Sequence, residues 1–171
     1  MQLKPLERVE VIEQAAHWLE DKTNSQWLDV GDGSNSFTPS WLKIMSKRRT
    51  HVIRVFTEDA ADRPIGIVAL DHVNPHFRSA TVWAVLGDRT FARQGYTTRA
   101  VSAILTFGFQ QLGLHSVNTW VVAHNVSASI PPRLHFREVG RLRECHRIDG
   151  RYYDRILFDL LASEHRLMND V

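Results

Sequence analysis

Hydrophobic positions change their period several times along the chain, and each change marks an element. Val9, Ile12, Ala16 and Leu19 recur at helical spacing, so an amphipathic helix is predicted over residues 9 to 20, after a short extended segment around Leu3 to Leu6. The period then stops: residues 23 to 38 are polar and glycine-containing, carry Trp27, Asp29 and Asp32, and read as a loop. Thr38 and Pro39 supply the N-cap and first residue of a short helix. Apolar runs at 51 to 57 (HVIRVFT), 64 to 71 (PIGIVALD) and 80 to 87 (ATVWAVLG) are separated by turn residues Asp62, Arg63, Asn74 and Pro75, which predicts a meander of three strands.

Helical spacing returns from Tyr96 to Leu112 through Val101, Ile104, Leu105 and Gly108, with Gly113 placed to end the helix. The nearly continuous apolar run VNTWVVA at 117 to 123 has the pattern of a strand buried on both faces. FREVGRLRECHRI and YYDRILFDLL then flank Asp149-Gly150, a hairpin-turn dipeptide. The predicted order is strand, two helices, three strands, helix, strand, short helix and hairpin, in one α/β domain spanning the 171 residues.

Composition removes several alternatives. Hydrophobic residues make up 43% and charged residues 23%, ordinary for a globular protein. A formal net charge of +2 gives no electrostatic case for nucleic-acid binding. Cys145 stands alone, so no internal disulfide is expected. The opening MQLKPLERVEV lacks an apolar run and no later stretch approaches the ~20 residues of a spanning helix, so the expected setting is cytoplasmic, without membrane or nucleic-acid partners.

The segment VLGDRTFARQGYTTRAVSAIL carries the most chemistry. A strand ends, a basic loop follows and a long helix begins, an arrangement that favours an anion at the unpaired N–H groups of the first helical turn. Gly95 permits close approach of the backbone, Arg93 with Arg89 and Arg99 adds positive charge, and Thr97 and Thr98 offer hydroxyls. No P-loop, dinucleotide fingerprint or G-x-S-x-G nucleophile elbow is present. His115, His124, His135 and His146 lack metal-ligand spacing, so no metal is expected.

The loop Ala92-Arg93-Gln94-Gly95-Tyr96-Thr97 resembles the [Q/R]-x-x-G-x-[G/A] signature of the GNAT acyl-CoA N-acyltransferases, matching at Gly95 and departing at Ala92 and Thr97. Around it, WAVLGD is similar to the family's fourth strand, GYTTRAVSAIL to its pyrophosphate-binding helix and LGLHSVNTWVVAHN to the passage into its fifth strand. The C-terminal hairpin is similar to that of the subgroup acetylating ribosomal-protein N-termini, polyamines or nucleotide-linked amino sugars. The resemblance implies a mixed, mostly antiparallel sheet of six to seven strands, splayed between strands four and five, with helices on both faces. It further implies acetyl-CoA as co-substrate and direct acetyl transfer to a primary amine in a ternary complex, with an amino sugar or small amine ranked just ahead of a peptide N-terminus. A homodimer follows from family habit.

Carried over by position, the backbone around Val85 and Leu86 would hold the pantetheine arm. Arg93, Gln94, Gly95, Tyr96, Thr97 and Thr98 would cradle the pyrophosphate, and Asn125 would meet the arm. Asp71, His72 and Asp88 are the alternatives for the base, Asp88 doubling as a loop cap. Trp27, Asp29 and Tyr152 are candidates for the acceptor, framed by the loop 21 to 38 and the hairpin tip near 146 to 152. The family's acid-supplying tyrosine has no counterpart. Asn125 is followed by VSASIPPRLHF, where Pro131-Pro132 shortens or breaks the helix and His135 replaces a glycine. These departures keep open a non-catalytic acyl-CoA-binding or scaffold protein of the same fold.

Overall fold

The computed structural model describes residues 1–29 and 37–167. Its strands are β1 Leu3–Pro5, β2 Val52–Thr57, β3 Pro64–Asn74, β4 Ser79–Leu86, β5 Ser116–Val122, β6 Arg137–Ile148 and β7 Arg151–Leu161. Its helices are α1 Val9–Glu20, α2 Lys22–Ser25, α3 Pro39–Met45, α4 Tyr96–Gln110 and α5 Ile130–Arg133. The strands form one seven-stranded sheet in the order β1-β2-β3-β4-β5-β7-β6. All neighbours run antiparallel except β4 and β5, which pair in parallel. Parallel neighbours need a crossover, and α4 supplies it.

Period-two alternation sends side chains to both faces of the sheet, and each face buries its own core. Phe56, Leu70, Val82, Val117 and Phe158 pack with Ile104 and Leu105 of α4. Ile53, Val55, Ile67 and Val85 pack with Leu19 of α1 and Leu42 of α3. Burying such an aliphatic side chain fully contributes about 1.5–3 kcal/mol, so both helical layers are held chiefly by apolar contact. At the end of β4, Gly87 lies under α1, and a Cβ there would stand 2.0 Å from the Trp18 ring.

The predicted order of elements holds, with local corrections. The meander is present, but β3 runs on through Asn74. Inside the predicted loop, α2 forms a single turn capped by Asp21, which accepts from the Thr23 N–H at 2.8 Å. Thr38 caps α3 through the Trp41 N–H, as its position predicts. Asp32 lies outside the described residues.

Candidate active site

The site begins where one ladder stops. β4 and β5 are paired at Ser79–Ser116, Ala80–Val117 and Thr81–Asn118. Beyond them Thr119 Oγ1 donates to the Val82 carbonyl at 2.9 Å, so a side chain takes over from the main chain and the strands part. Main-chain groups alternate direction along a strand. The Val82 carbonyl points to β5, and the Gly87 N–H points to β3, donating to the Ile65 carbonyl at 2.9 Å. Between these anchors, Ala84 and Leu86 direct their main-chain groups into the opening. Val85, opposite Ile67, directs its own into the β3 ladder. On the other side, the Ser116 N–H reaches the Arg78 carbonyl and the Ala123 N–H reaches β7 at Asp154, so Trp120 turns its main chain to the opening.

Of the stretch around Val85 and Leu86, Leu86 and Ala84 turn main-chain groups to the opening, while Val85 turns its own to β3 and is buried, with 6% exposure. Register decides this, because the side presented by a strand reverses at every residue.

The opening runs toward the start of α4. Gly95 is its N-cap at φ 80°, with no side-chain cap, and its carbonyl accepts the Arg99 N–H at 3.0 Å. The N–H groups of Tyr96, Thr97 and Thr98 therefore precede the first intrahelical bond. A Cβ at Gly95 would meet nothing within 4 Å, so the glycine serves the left-handed φ rather than a tight contact. Tyr96 and Thr98 are buried, while their N–H groups point out of the helix end along its axis. Of the three arginines, Arg89 donates to the Thr23 carbonyl at 3.1 Å, and Arg99 forms a two-point bond to Asp59 at 2.8 Å. Arg93 is exposed and makes no ion pair among the described residues. Gln94 turns back to the Thr90 carbonyl.

After β5, Asn125 caps a single 3-10 turn by accepting from the Ser127 N–H at 2.9 Å. α5 spans four residues with its prolines in the first turn, as the sequence requires. His135 holds φ 66°, a left-handed conformation that glycine would adopt without the steric cost.

The sheet face under α1 and α3 carries the titratable groups. Trp83 Nε1 donates to Asp71 Oδ2 at 2.6 Å. Asp71 Oδ1 is buried and accepts no hydrogen bond among the described residues, and His51 Nε2 lies 3.9 Å away. Burial pushes the Asp71 carboxyl above its ordinary range, against the opposing pull of the Trp83 hydrogen bond and of His51 and His72. Burial also lowers the pKa of His51. Asp71 pairs with Thr81, so this group stands beside the closed end of the opening. His72 is exposed at φ 53° where the β3–β4 register slips.

Asp88 has a different occupation. Its Oδ1 accepts from the Thr90 hydroxyl at 2.6 Å and N–H at 3.0 Å, while Oδ2 pairs with Arg63 at 3.0 Å. The Thr90 hydroxyl above all lowers its pKa, so the carboxylate is a filled cap and poorly suited to accept a proton. Trp27 is half-buried, and Asp29 pairs with Arg155 at 2.6 Å. Tyr152 is 61% exposed beneath the Arg147 guanidinium. The loop and the hairpin tip anticipated around the acceptor do meet: Lys22 pairs with Asp149 at 2.6 Å, and His146 Nε2 contacts the Gln26 carbonyl at 2.7 Å. His51, Trp83, Trp120 and Arg155 were absent from the sequence-predicted site. A usable signal was Asp154-Arg155 standing just before the apolar run ILF, since a half-buried charge on a strand requires partners.

Residues 2–137 match the family model described as an acetyltransferase (GNAT) domain. YdaF of Bacillus subtilis (strain 168), provisionally named a ribosomal N-acetyltransferase, is 26% identical over 100 residues, covering 58% of this chain. That match spans about half, 54%, of YdaF. Among solved structures, spermidine N-acetyltransferase from Vibrio cholerae in complex with CoA and spermine superposes with a TM-score of 0.81 at 23% identity, covering 95% of this chain and 96% of that one. Mycobacterium smegmatis RimJ in complex with CoA-disulfide gives 0.78 at 20% identity, covering 95% and 82%. These structural likenesses concern the fold.

Proposed function

Because the chain belongs to the GNAT acetyltransferase family, we propose that it transfers acetyl directly from acetyl-CoA to a primary amine in a ternary complex. The observation that carries this reading is the parting of β4 and β5 after Thr81, which leaves main-chain groups of Ala84, Leu86 and Trp120 lining an opening directed at the uncapped start of α4. Unpaired strand edges and a helix N-terminus suit an amide-containing arm ending in a diphosphate. Ala84 and Leu86 would hold the arm, with Asn125 across from them. The N–H groups of Gly95 to Thr98 and the Arg93 guanidinium would hold the diphosphate.

When bound, acetyl-CoA supplies an acetyl group activated as a thioester. The amine nitrogen attacks its carbonyl carbon, a C–N bond forms, the C–S bond breaks and the thiol is released. Main-chain N–H groups on β4 stabilise the negative charge that develops on the carbonyl oxygen, a role worth about 3 kcal/mol for a well-aimed donor. Asp71 is the base: its free Oδ1 accepts the amine proton, and its raised pKa brings it nearer neutrality than an ordinary carboxylate. His51 and His72 both act on it, each pulling its pKa down against the effect of burial. No tyrosine occupies the segment after Asn125, and a thiolate leaves without strong acid assistance, so positioning supplies much of the rate.

Asp29, Asp149 and Asp154 near the acceptor face already hold Arg155, Lys22 and Arg141. A polyamine would have to displace these cations, which supports an amino sugar or a small monoamine over the polyamine named for the Vibrio relative. A peptide N-terminus is the next reading, supported by YdaF. The prolines of α5 favour the non-catalytic alternative. Thiol release from acetyl-CoA over a panel of amino sugars, monoamines, polyamines and peptides decides among these, and tight acetyl-CoA binding without turnover on any of them would establish the non-catalytic reading. The expected cytoplasmic setting and homodimer belong to the same proposal. Among the described residues no helix is long and apolar enough to cross a membrane.

A further inference from the structure

Segment 23–29 connects the loop that follows β4 to β6 and β7, on the far side of β5, and is fastened at both ends. On the α4 side, Arg89 donates to the Thr23 carbonyl at 3.1 Å and approaches Asn24 Oδ1 at 3.4 Å. On the hairpin side the fastening is buried. His146, 6% exposed, places Nε2 2.7 Å from the Gln26 carbonyl. A carbonyl only accepts, so Nε2 carries the ring proton and Nδ1 is left as an acceptor. Arg155 fills it from Nε at 3.2 Å and Nη2 at 2.9 Å, and its remaining Nη1 donates to Asp29 Oδ2 at 2.6 Å. The guanidinium also lies over the Trp120 ring, 4.0 Å from its centroid. Trp120 is the residue whose main chain lines the opening.

A continuous connection thus runs from the wall of the opening, through the Trp120 ring and the Arg155 guanidinium, to Gln26 and Asp29 on either side of Trp27. Every nitrogen of Arg155 has a partner, and two of them converge on a single acceptor. A planar fork can do this, and a half-buried cation is costly unless its geometry is met. For stability alone an apolar side chain would serve as well at a half-buried sheet position. We propose that Arg155 is a positioning residue for the acceptor amine, holding Trp27 and its neighbours over the opening at a fixed height above Trp120, with His146 as the adaptor. This rests on the acetyl-transfer reading above and adds the residue that sets acceptor affinity.

Arg155→Lys keeps the charge facing Asp29 and gives up both the fork on His146 and the flat face on Trp120. Steady-state kinetics should show the amine KM raised about tenfold, with kcat and the acetyl-CoA KM within about twofold, the pattern of lost binding that is equal in ground and transition states. Hydrogen exchange in 21–29 should quicken in the same variant. His146→Gln retains a donor for Gln26 and an acceptor for Arg155, so it should lose less amine affinity than His146→Leu. Asp29→Asn, at the exposed end, should reproduce a part of the effect with the fold intact. An amine KM unchanged in Arg155→Lys and Asp29→Asn, or exchange in 21–29 indistinguishable from wild type, overturns the proposal. If wild type acetylates no amine while Arg155→Lys still quickens exchange, the acetyl-transfer reading fails and the positioning role falls with it, while the fastening itself stands.

Discussion

The two sides of the opening are made of different material. On the side proposed for the cofactor the groups are main-chain atoms of Ala84, Leu86, Trp120 and the first turn of α4. The side proposed for the acceptor is made of side chains, with His51, Asp71 and Trp83 in one group and His146 and Arg155 in another, the latter fastened to Asp29 126 positions away. A main-chain site is indifferent to most substitutions and fails where the backbone angle fails. A side-chain site fails wherever a group is removed. Changes on one side should therefore alter one substrate's parameters and spare the other's.

The largest effect is expected from the acceptor side. Asp71→Asn should lower kcat by about 10²- to 10⁴-fold, the usual range for loss of a general base. Acetyl-CoA affinity by titration calorimetry should be unchanged. The acidic limb of the kcat/KM profile should disappear with the carboxylate, and its persistence would reassign the base. Stability gives an independent check. Burial holds the Asp71 pKa above 3.8, so the folded protein keeps a proton that the unfolded chain has lost. The stability carried by that proton is complete below 3.8 and is lost as pH rises through the folded-state value. Asp71→Asn should remove this fall from thermal melts recorded across the acid range.

Gly95→Pro tests the other side. The glycine stands at φ 80°, and proline fixes φ near about −65°, so the first turn of α4 cannot present the same N–H groups. Acetyl-CoA affinity should drop by about a hundredfold or more, with helical circular dichroism retained. Binding within a few fold of wild type would show that the loop is not the diphosphate cradle.

The same contrast explains what could be read from the chain. The strand, loop and helix around Gly95, the meander and the Asp149-Gly150 hairpin rest on periods and turn residues local in sequence, and they are legible there. α2 was missed because four residues are too few to display a helical period. Which residues around Val85 and Leu86 turn their main chains to the opening is not legible, because that turns on the register of β4 against β3. His146 and Arg155 were missed because each takes its meaning from residues 26–29, more than a hundred positions away. Local patterns specify main-chain sites, while side-chain sites need the fold.

Val85→Ala sharpens this point, since Val85 turns its main chain to β3 and packs its side chain in the core. Its truncation should cost about 1–3 kcal/mol in chemical denaturation and leave both substrate KM values within about twofold. A selective rise in the acetyl-CoA KM without loss of stability would return Val85 to the opening.

The smallest effect should come from Arg93, whose exposed charge stands beside the start of α4 with no ion-pair partner among the described residues. A solvated cation near a helix N-terminus is opposed by the helix dipole and gains its value from a bound anion. Screening limits that value to about 0.3–1 kcal/mol, so Arg93→Ala should weaken acetyl-CoA binding about two- to fivefold at low salt. The loss should shrink toward nothing near 1 M salt, where the Debye length is about 3 Å. Neither amine KM nor stability should move. A salt-independent loss would mean that Arg93 contributes through its backbone, and its left-handed φ of 63° would then count, with that of Gly95, among the angles that shape the cradle.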